Sequence, residues 1–302
     1  MLVLFYGEGR LGNQVFQYQA LNGLAGRSGR IIAVGLEDLE SATSCGGASV
    51  TVVTRSYWLK RLFKYIVIPL LLRPLARMVR IFGYAYENES GTPLRSGPSG
   101  VMSLQRGLIR SLVFVDGGYY QSADTWRSKF PCTDLKIRHS LLTQARALLG
   151  TMPDEGPPKI FVHVRRGDLL DYRTYGLQDI ALPEGYYRSA ICEATRRMSR
   201  PHFVFVTDDA PWVQEHFRDV PEKSIISRSA ELDFAIMAEC QGGILSNSTF
   251  SLAAALLSAN AVLILAPLYW FGFRVSEWLP PRIRFDDPKL VYLHVPSKDE
   301  RT

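Results

Sequence analysis

Apolar residues fall into two kinds of stretch along the chain: short unbroken runs, and longer segments spaced at three to four residues. The first run, LVLFY at 2–6, ends in glycine and is followed by helical spacing over 13–25 and a second apolar run at 31–34. That sequence predicts a strand, a loop, a helix and a strand. A strand at 112–115 closes the first half, a helix is expected over 143–149, and TMPDEGPPK reads as a connector. The second half alternates more regularly. Strands are predicted at 160–165, 203–206, near 225, at 243–246 and 261–265, with helices near 186–198, 211–217, 231–240 and 249–258. Such alternation predicts an α/β fold with a parallel sheet covered by helices, whose ligands bind at the carboxyl ends of the strands. The expected domains are 1–152 and 153–302.

Residues 40–50 and 88–100 are rich in Gly, Ser and Pro, lack apolar periodicity and read as loops flanking an insertion at about 55–100. Inside it lies KYIVIPLLLRPLARMVRIFGYAY, interrupted by Pro69, Arg73, Pro74, Arg77 and Arg80. It falls short of the roughly 20 continuous apolar residues of a spanning helix. Two readings stay open: a helical hairpin against the core, or, with Lys60, Arg61 and Lys64, a basic amphipathic element on an anionic membrane surface. The amino terminus, MLVLFYGEGR, has no basic region before its short apolar run, so secretion is not expected. The expected location is cytoplasmic, and under the second reading peripheral at the inner face of a membrane.

Composition narrows the class. Of 302 residues, 47% are hydrophobic and 21% charged, which excludes collagen-like, disordered and disulfide-scaffold chains. The formal charge of +6 suits anionic ligands without calling for nucleic acid. Cys45, Cys132, Cys192 and Cys240 form no C-x-x-C pair, so neither a zinc site nor a disulfide framework is indicated.

Four segments carry candidate chemistry. GEGRLG at 7–12 satisfies G-x-G-x-x-G between a strand and a helix, a pattern of dinucleotide binding and equally of a tight turn capped by Asn13. VHVRRGD ends a strand. Alternation places His163 and Arg165 on one face and Arg166 on the other, and a planar guanidinium matches a phosphate bidentately. Asp168 can fix an arginine, and a surface ion-pair cluster is the plainer reading. FVFVTDD delivers Asp208 and Asp209 to a strand end, where they serve base recognition, in preference to metal, or cap the next helix. GGILSNSTFS runs from a strand into a helix whose free N–H groups, with Asn247, Ser248 and Thr249, offer a phosphate site or simple capping. Three polar motifs at three strand ends favour a nucleotide pocket.

Taken in order, GRLGNQVFQY, GGYYQS, VHVRRGD, FVTDD and SNSTFS resemble the α-1,2-fucosyltransferase family, glycosyltransferase family 11, over residues 9 to about 258. The resemblance implies a GT-B-like fold of two Rossmann-like halves with parallel sheets. It implies GDP-fucose as donor, a glycan hydroxyl as acceptor on an oligosaccharide or glycolipid, inversion at the sugar carbon, and no cofactor or obligatory metal. By the same resemblance Arg165 and Arg166 hold the diphosphate, His163 and Asp208 or Asp209 lie near guanine, and Ser248, Thr249 and Phe250 lie near the phosphates. The loop with Gly9, Asn13 and Gln14 faces donor and acceptor. This chain departs from the family in having Leu252 and Ala253 where members carry paired tryptophans, and Glu8 in a loop that commonly lacks an acid. Glu8 resembles the base of some protein O-fucosyltransferases. The expected activity is that of a galactoside 2-alpha-L-fucosyltransferase, with Arg165 neutralising the leaving group and Glu8, or second Asp168, taking the acceptor proton. Alternatives are a protein or other-glycan fucosyltransferase, a nicotinamide-dependent oxidoreductase using the 7–12 loop, and a non-catalytic nucleotide-sugar or glycan binder.

Overall fold

The computed structural model describes residues 1–90, 97–126, 135–150 and 157–296. Contacts divide the chain into two units between Ile137 and Arg138, with Pro280–Arg282 returning to the first. The connector expected at 151–159, and with it the 152/153 boundary, falls largely outside the described residues.

In the first unit β1 (Leu2–Tyr6) leads through α1 (Leu11–Ala25) to β2 (Arg30–Val34), as the apolar pattern predicts. There follow α2 (Glu37–Ala42), β3 (Thr43–Cys45), β4 (Ser49–Val52), α3 (Tyr57–Leu62), β5 (Phe82–Ser90), β6 (Gly97–Gln105), β7 (Ile109–Val115), α4 (Ala123–Trp126) and β8 (Leu135–Ile137). The main sheet has the order β4-β2-β1-β7-β5-β6 and is parallel except for the β5–β6 hairpin, so it is mixed where a parallel sheet was expected. The described residues of 40–50 and 88–100, expected as loops, hold β3 and parts of α2, β4, β5 and β6. The cause is local: β4 is a short edge strand with no strong apolar run, and β5 carries Glu87, whose carboxylate is turned inward.

The 55–80 region is one helical run, not a hairpin. Beyond α3 it continues as π-type turns over Phe63–Leu72 and Pro74–Met78, with helical dihedrals at Arg73 between them. Pro69 and Pro74 have no N–H to donate, and wider turns are one way for a helix to pass a proline. Ile68 and Ala76, with Leu72 and Leu75, pack onto Leu4, Tyr6, Phe82, Tyr84 and Phe114. An apolar cavity of about 120 Å³ lies beneath, between Phe63, Val67 and Leu72 and the sheet.

The second unit follows the predicted alternation closely. Helix α5 (His139–Gly150) precedes β9 (Lys159–Val164), α6 (Gly167–Asp171) and a small hairpin of β10 (Arg173–Thr174) and β11 (Leu177–Gln178). Then come α7 (Glu184–Arg197), β12 (His202–Thr207), α8 (Ala210–His216), β13 (Lys223–Ile226), α9 (Ala230–Glu239) and β14 (Gly242–Ile244). Helix α10 (Thr249–Leu257), β15 (Leu263–Pro267) and β16 (Leu290–Leu293) complete it. The main sheet is parallel throughout, in the order β13-β12-β9-β14-β15-β16. Numbered within that sheet, its strands run 3-2-1-4-5-6, the order of dinucleotide-binding sheets, in which the direction of winding reverses between strands 1 and 4. Here that crevice lies between β9 and β14. Both strands are buried on both faces, as a sheet covered by helices requires.

Gly243 makes the close packing beside β9 possible, because a Cβ there would sit 2.2 Å from the Phe161 ring. Gly243→Ala should therefore destabilise the second unit by about 1–3 kcal/mol through overpacking, read as a lowered midpoint in urea unfolding.

Candidate active site

Strand β9 delivers His163 and Arg165 to one side of its carboxyl end, and β14 delivers Ser246, Asn247 and Ser248 next to them. Arg165 lies between two partners. Its Nε and Nη2 donate to the two Asp168 oxygens at 2.9 and 2.5 Å, and its Nη1 donates to Ser248 Oγ at 3.1 Å. The guanidinium has five N–H groups, and the side chain remains 24% exposed, so part of the fork faces outward for a ligand. Ser248 is also the cap of α10, accepting from Phe250 N at 3.3 Å. One hydroxyl thus joins the arginine to the positive end of a helix, an arrangement suited to a phosphate or diphosphate.

His163 lies deeper. One ring nitrogen, Nδ1, is 2.8 Å from Ser246 Oγ, and the ring is 5.5 Å from that of Phe250. Burial, and secondarily the charge of Arg165, push its pKa down to about 3. It is neutral at physiological pH and holds β9 to β14 through a hydrogen bond. Asn247 donates to Ile180 O at 2.6 Å, while its Oδ1 is buried with no hydrogen-bond partner among the described residues. Thr249 is buried in the first turn of α10.

Arg166 points the other way, as alternation predicts. Its Nε donates to Asp209 at 3.1 Å and its guanidinium lies 4.2 Å from the centre of the Trp212 ring. Asp209 caps α8 by accepting from Trp212 N, and Asp208 accepts from the backbone N–H of Arg166 at 2.9 Å. Capping is therefore the observed role of Asp209, and Asp208 holds the β9–α6 turn. A Cβ at Gly167 would lie 3.1 Å from Asp208, which is why glycine suits that turn. Trp212 was missed by sequence reasoning; only its place in the turn after Asp209 signals the stacking.

The remaining candidates lie in the first unit. Gly9 has φ +87°, a left-handed conformation suited to glycine. Gln14 donates to Gly9 O and Asp38 and accepts from Leu39 N, so it ties the glycine loop to α2. Gln17 donates to Glu8 O and Gly118 O, both at 2.9 Å. Asn13 accepts from Gln121 at 3.0 Å. These amides bind the loop internally, and Glu8 pairs with Lys64 at 2.5 Å with both side chains close to half exposed. Glu87, also missed, accepts from the N–H groups of Gly100, Tyr119 and Tyr120 and so fixes the GGYY loop. Its burial raises its pKa above the ordinary carboxylate value, partly offset by those three donors. Among the described residues no group of three or more His, Cys, Asp or Glu could hold a metal ion.

The profile of glycosyl transferase family 11 matches residues 108–274, more than half of the chain, and spans the β9, β12 and β14 strand ends. The chain belongs to that family. Among curated relatives, an O-antigen biosynthesis glycosyltransferase, WbnK, of Escherichia coli is 26% identical over 116 residues, 37% of this chain and 38% of that protein. Galactoside 2-alpha-L-fucosyltransferase SEC1 of Bos taurus is 26% identical over 129 residues, 41% of this chain and 35% of that protein. The chain thus spans little more than a third of either relative. Galactoside alpha-(1,2)-fucosyltransferase 1 of Leontocebus fuscicollis aligns more fully, 24% identical over 86% of this chain and 67% of that protein. Among solved structures, NodZ alpha-1,6-fucosyltransferase co-crystallized with GDP superposes with a TM-score of 0.50 at 14% identity, over 87% of this chain and 93% of that one. That likeness supports the two-part GT-B-like α/β architecture.

The lowered pKa of His163 has a direct consequence. The unfolded histidine titrates near 6.5 and the folded one near 3, so the unfolded state binds the extra proton between those values. The stability contribution is complete above pH 6.5 and declines as pH falls, by up to about 1.4 kcal/mol per pH unit. Thermal unfolding of His163→Gln should depend less on pH between 7.5 and 5 than that of the unaltered chain.

Proposed function

We propose that this protein is an inverting fucosyltransferase that moves L-fucose from GDP-fucose to a hydroxyl of a glycan, with a galactoside as acceptor and a 2-alpha linkage as product. The observation that carries the reading is the Arg165 guanidinium held against the Ser248 cap of α10, at the crevice of a 3-2-1-4-5-6 sheet. Family membership and the activities named for the relatives support the donor and the linkage. The compartment expected is the cytoplasm, at the inner face of a membrane.

In the mechanism, an acceptor oxygen attacks the anomeric carbon as the bond to the GDP phosphate oxygen breaks on the opposite face. Negative charge grows on the departing diphosphate. Arg165 and the N–H groups opening α10 are already oriented toward it, which is where fixed charge lowers a barrier. Arg166, stacked on Trp212 and paired with Asp209, supports the nucleotide side together with Asp208, His163 and Phe250. The acceptor proton needs a carboxylate. Both oxygens of Asp168 are occupied by Arg165, whereas Glu8 gives only Oε1 to Lys64, which favours Glu8.

The test is turnover of GDP-fucose against a panel of glycans, with linkage analysis of the product. Transfer to a terminal galactose in α-1,2 linkage is expected, undiminished in EDTA. Transfer to a protein or to another sugar would keep the fucosyltransferase and replace the acceptor; binding of GDP without transfer to any acceptor would overturn the reading. Arg165→Ala should lower kcat by roughly a hundredfold or more. Glu8→Gln should lower kcat with little change in GDP affinity.

A further inference from the structure

The helical run of the first unit has a face that the transfer reaction does not use. Residues 41–86 contain seven Lys and Arg and no Asp or Glu. Four of the seven find acids outside the segment: Arg55 with Glu40, Lys60 with Glu37, Lys64 with Glu8 and Arg73 with Asp116. Those pairs hold the run to its own unit. Arg61, Arg77 and Arg80 have no carboxylate partner among the described residues, and all three are exposed.

Beside these cations lies uncovered apolar surface. Ten of the eighteen exposed large apolar side chains among the described residues fall within 57–79. Trp58, Leu62, Ile66 and Leu70, four residues apart, form a row along the helical run, with Trp58 and Leu70 exposed by 77% and 73%. Ile68 and Ala76 face the sheet instead. Arg61 lies over the Tyr57 and Tyr65 rings, 5.6 and 5.4 Å from their centres. Apolar side chains, ringed by tyrosine and tryptophan and flanked by uncompensated arginines, match the layered chemistry of a bilayer interface. No helix among the described residues is long and apolar enough to cross a membrane.

We propose that residues 57–80 dock the first unit onto the surface of an anionic lipid bilayer, lying in the interface with the Trp58–Leu62–Ile66–Leu70 row inserted and Arg61, Arg77 and Arg80 on the headgroups. Charge complementarity chooses lipid over a second copy of the chain, because two copies would bring the same uncompensated arginines together. The docking does not depend on the identity of the donor or acceptor at the other site.

Flotation of the full chain with phosphatidylcholine vesicles, with and without phosphatidylglycerol, tests it. Binding is expected only with the anionic lipid, and it should weaken in high salt. Arg61→Gln and Arg77→Gln should each weaken binding about fivefold, and the pair Trp58→Ser with Leu70→Ser about tenfold or more. GDP titration of the same variants should be unchanged, so a failure at the membrane is read separately from a failure at the nucleotide site. Equal binding to neutral vesicles, or no vesicle binding, or binding indifferent to these substitutions would overturn the proposal. So would a dimer, seen by light scattering, that the same substitutions dissolve while vesicles stay unbound.

Discussion

Arg165 is fixed from two directions, by Asp168 on its own turn and by Ser248 on the far side of the crevice between β9 and β14. A guanidinium cannot give up its charge under ordinary conditions, so its position alone decides what it can bind. That position lies where the sheet reverses its winding between these two strands, at the carboxyl ends where sheets of this order leave a crevice. His163 and Ser246 close the same junction one layer down. The buried imidazole is neutral, so it adds no competing charge beneath the arginine. Placement of the outer cation thus depends on an uncharged inner contact.

The second unit was largely legible in the sequence because its central strands β9 and β12 are dense apolar runs followed by polar residues, and α7, α8, α9 and α10 begin at Pro183, Asp209, Ser229 and Ser248. Asp209 and Ser248 cap helices where their sequence positions suggested, and Ser229 caps α9 as well. Strand alternation separated Arg165 from Arg166 correctly. What alternation could not supply was their partners: that Arg166 lies over Trp212, or that Asp168 uses both oxygens on Arg165, depends on rotamers and on neighbours more than forty residues away in one case.

The first unit was harder to read, for a physical reason. Its Glu87 lies inside, satisfied by the backbone N–H groups of Tyr119 and Tyr120 in the loop it organises and of Gly100 in β6, and a carboxylate inside a strand looks like a loop in sequence. Gln14 and Gln17 are similar. The place of Gln14 after the glycine loop suggests a ligand-facing amide, yet it and Gln17 are bound to backbone groups of the loops around them. Polar side chains that satisfy backbone within the interior leave no periodic trace.

Strand order in the first unit carries one more implication. Strand β1 pairs with β7 through Leu2 and Leu112, and the helical run over 57–78 packs on Phe114, so neither the central pairing nor the seat of that run exists until residue 115 or so has been synthesised. At ribosomal speeds of about 5–20 residues per second, the Ile68 and Ala76 face of the run leaves the exit tunnel seconds ahead of the last strand of its floor. During that interval the nascent chain must keep a sticky, basic helix from the wrong surface.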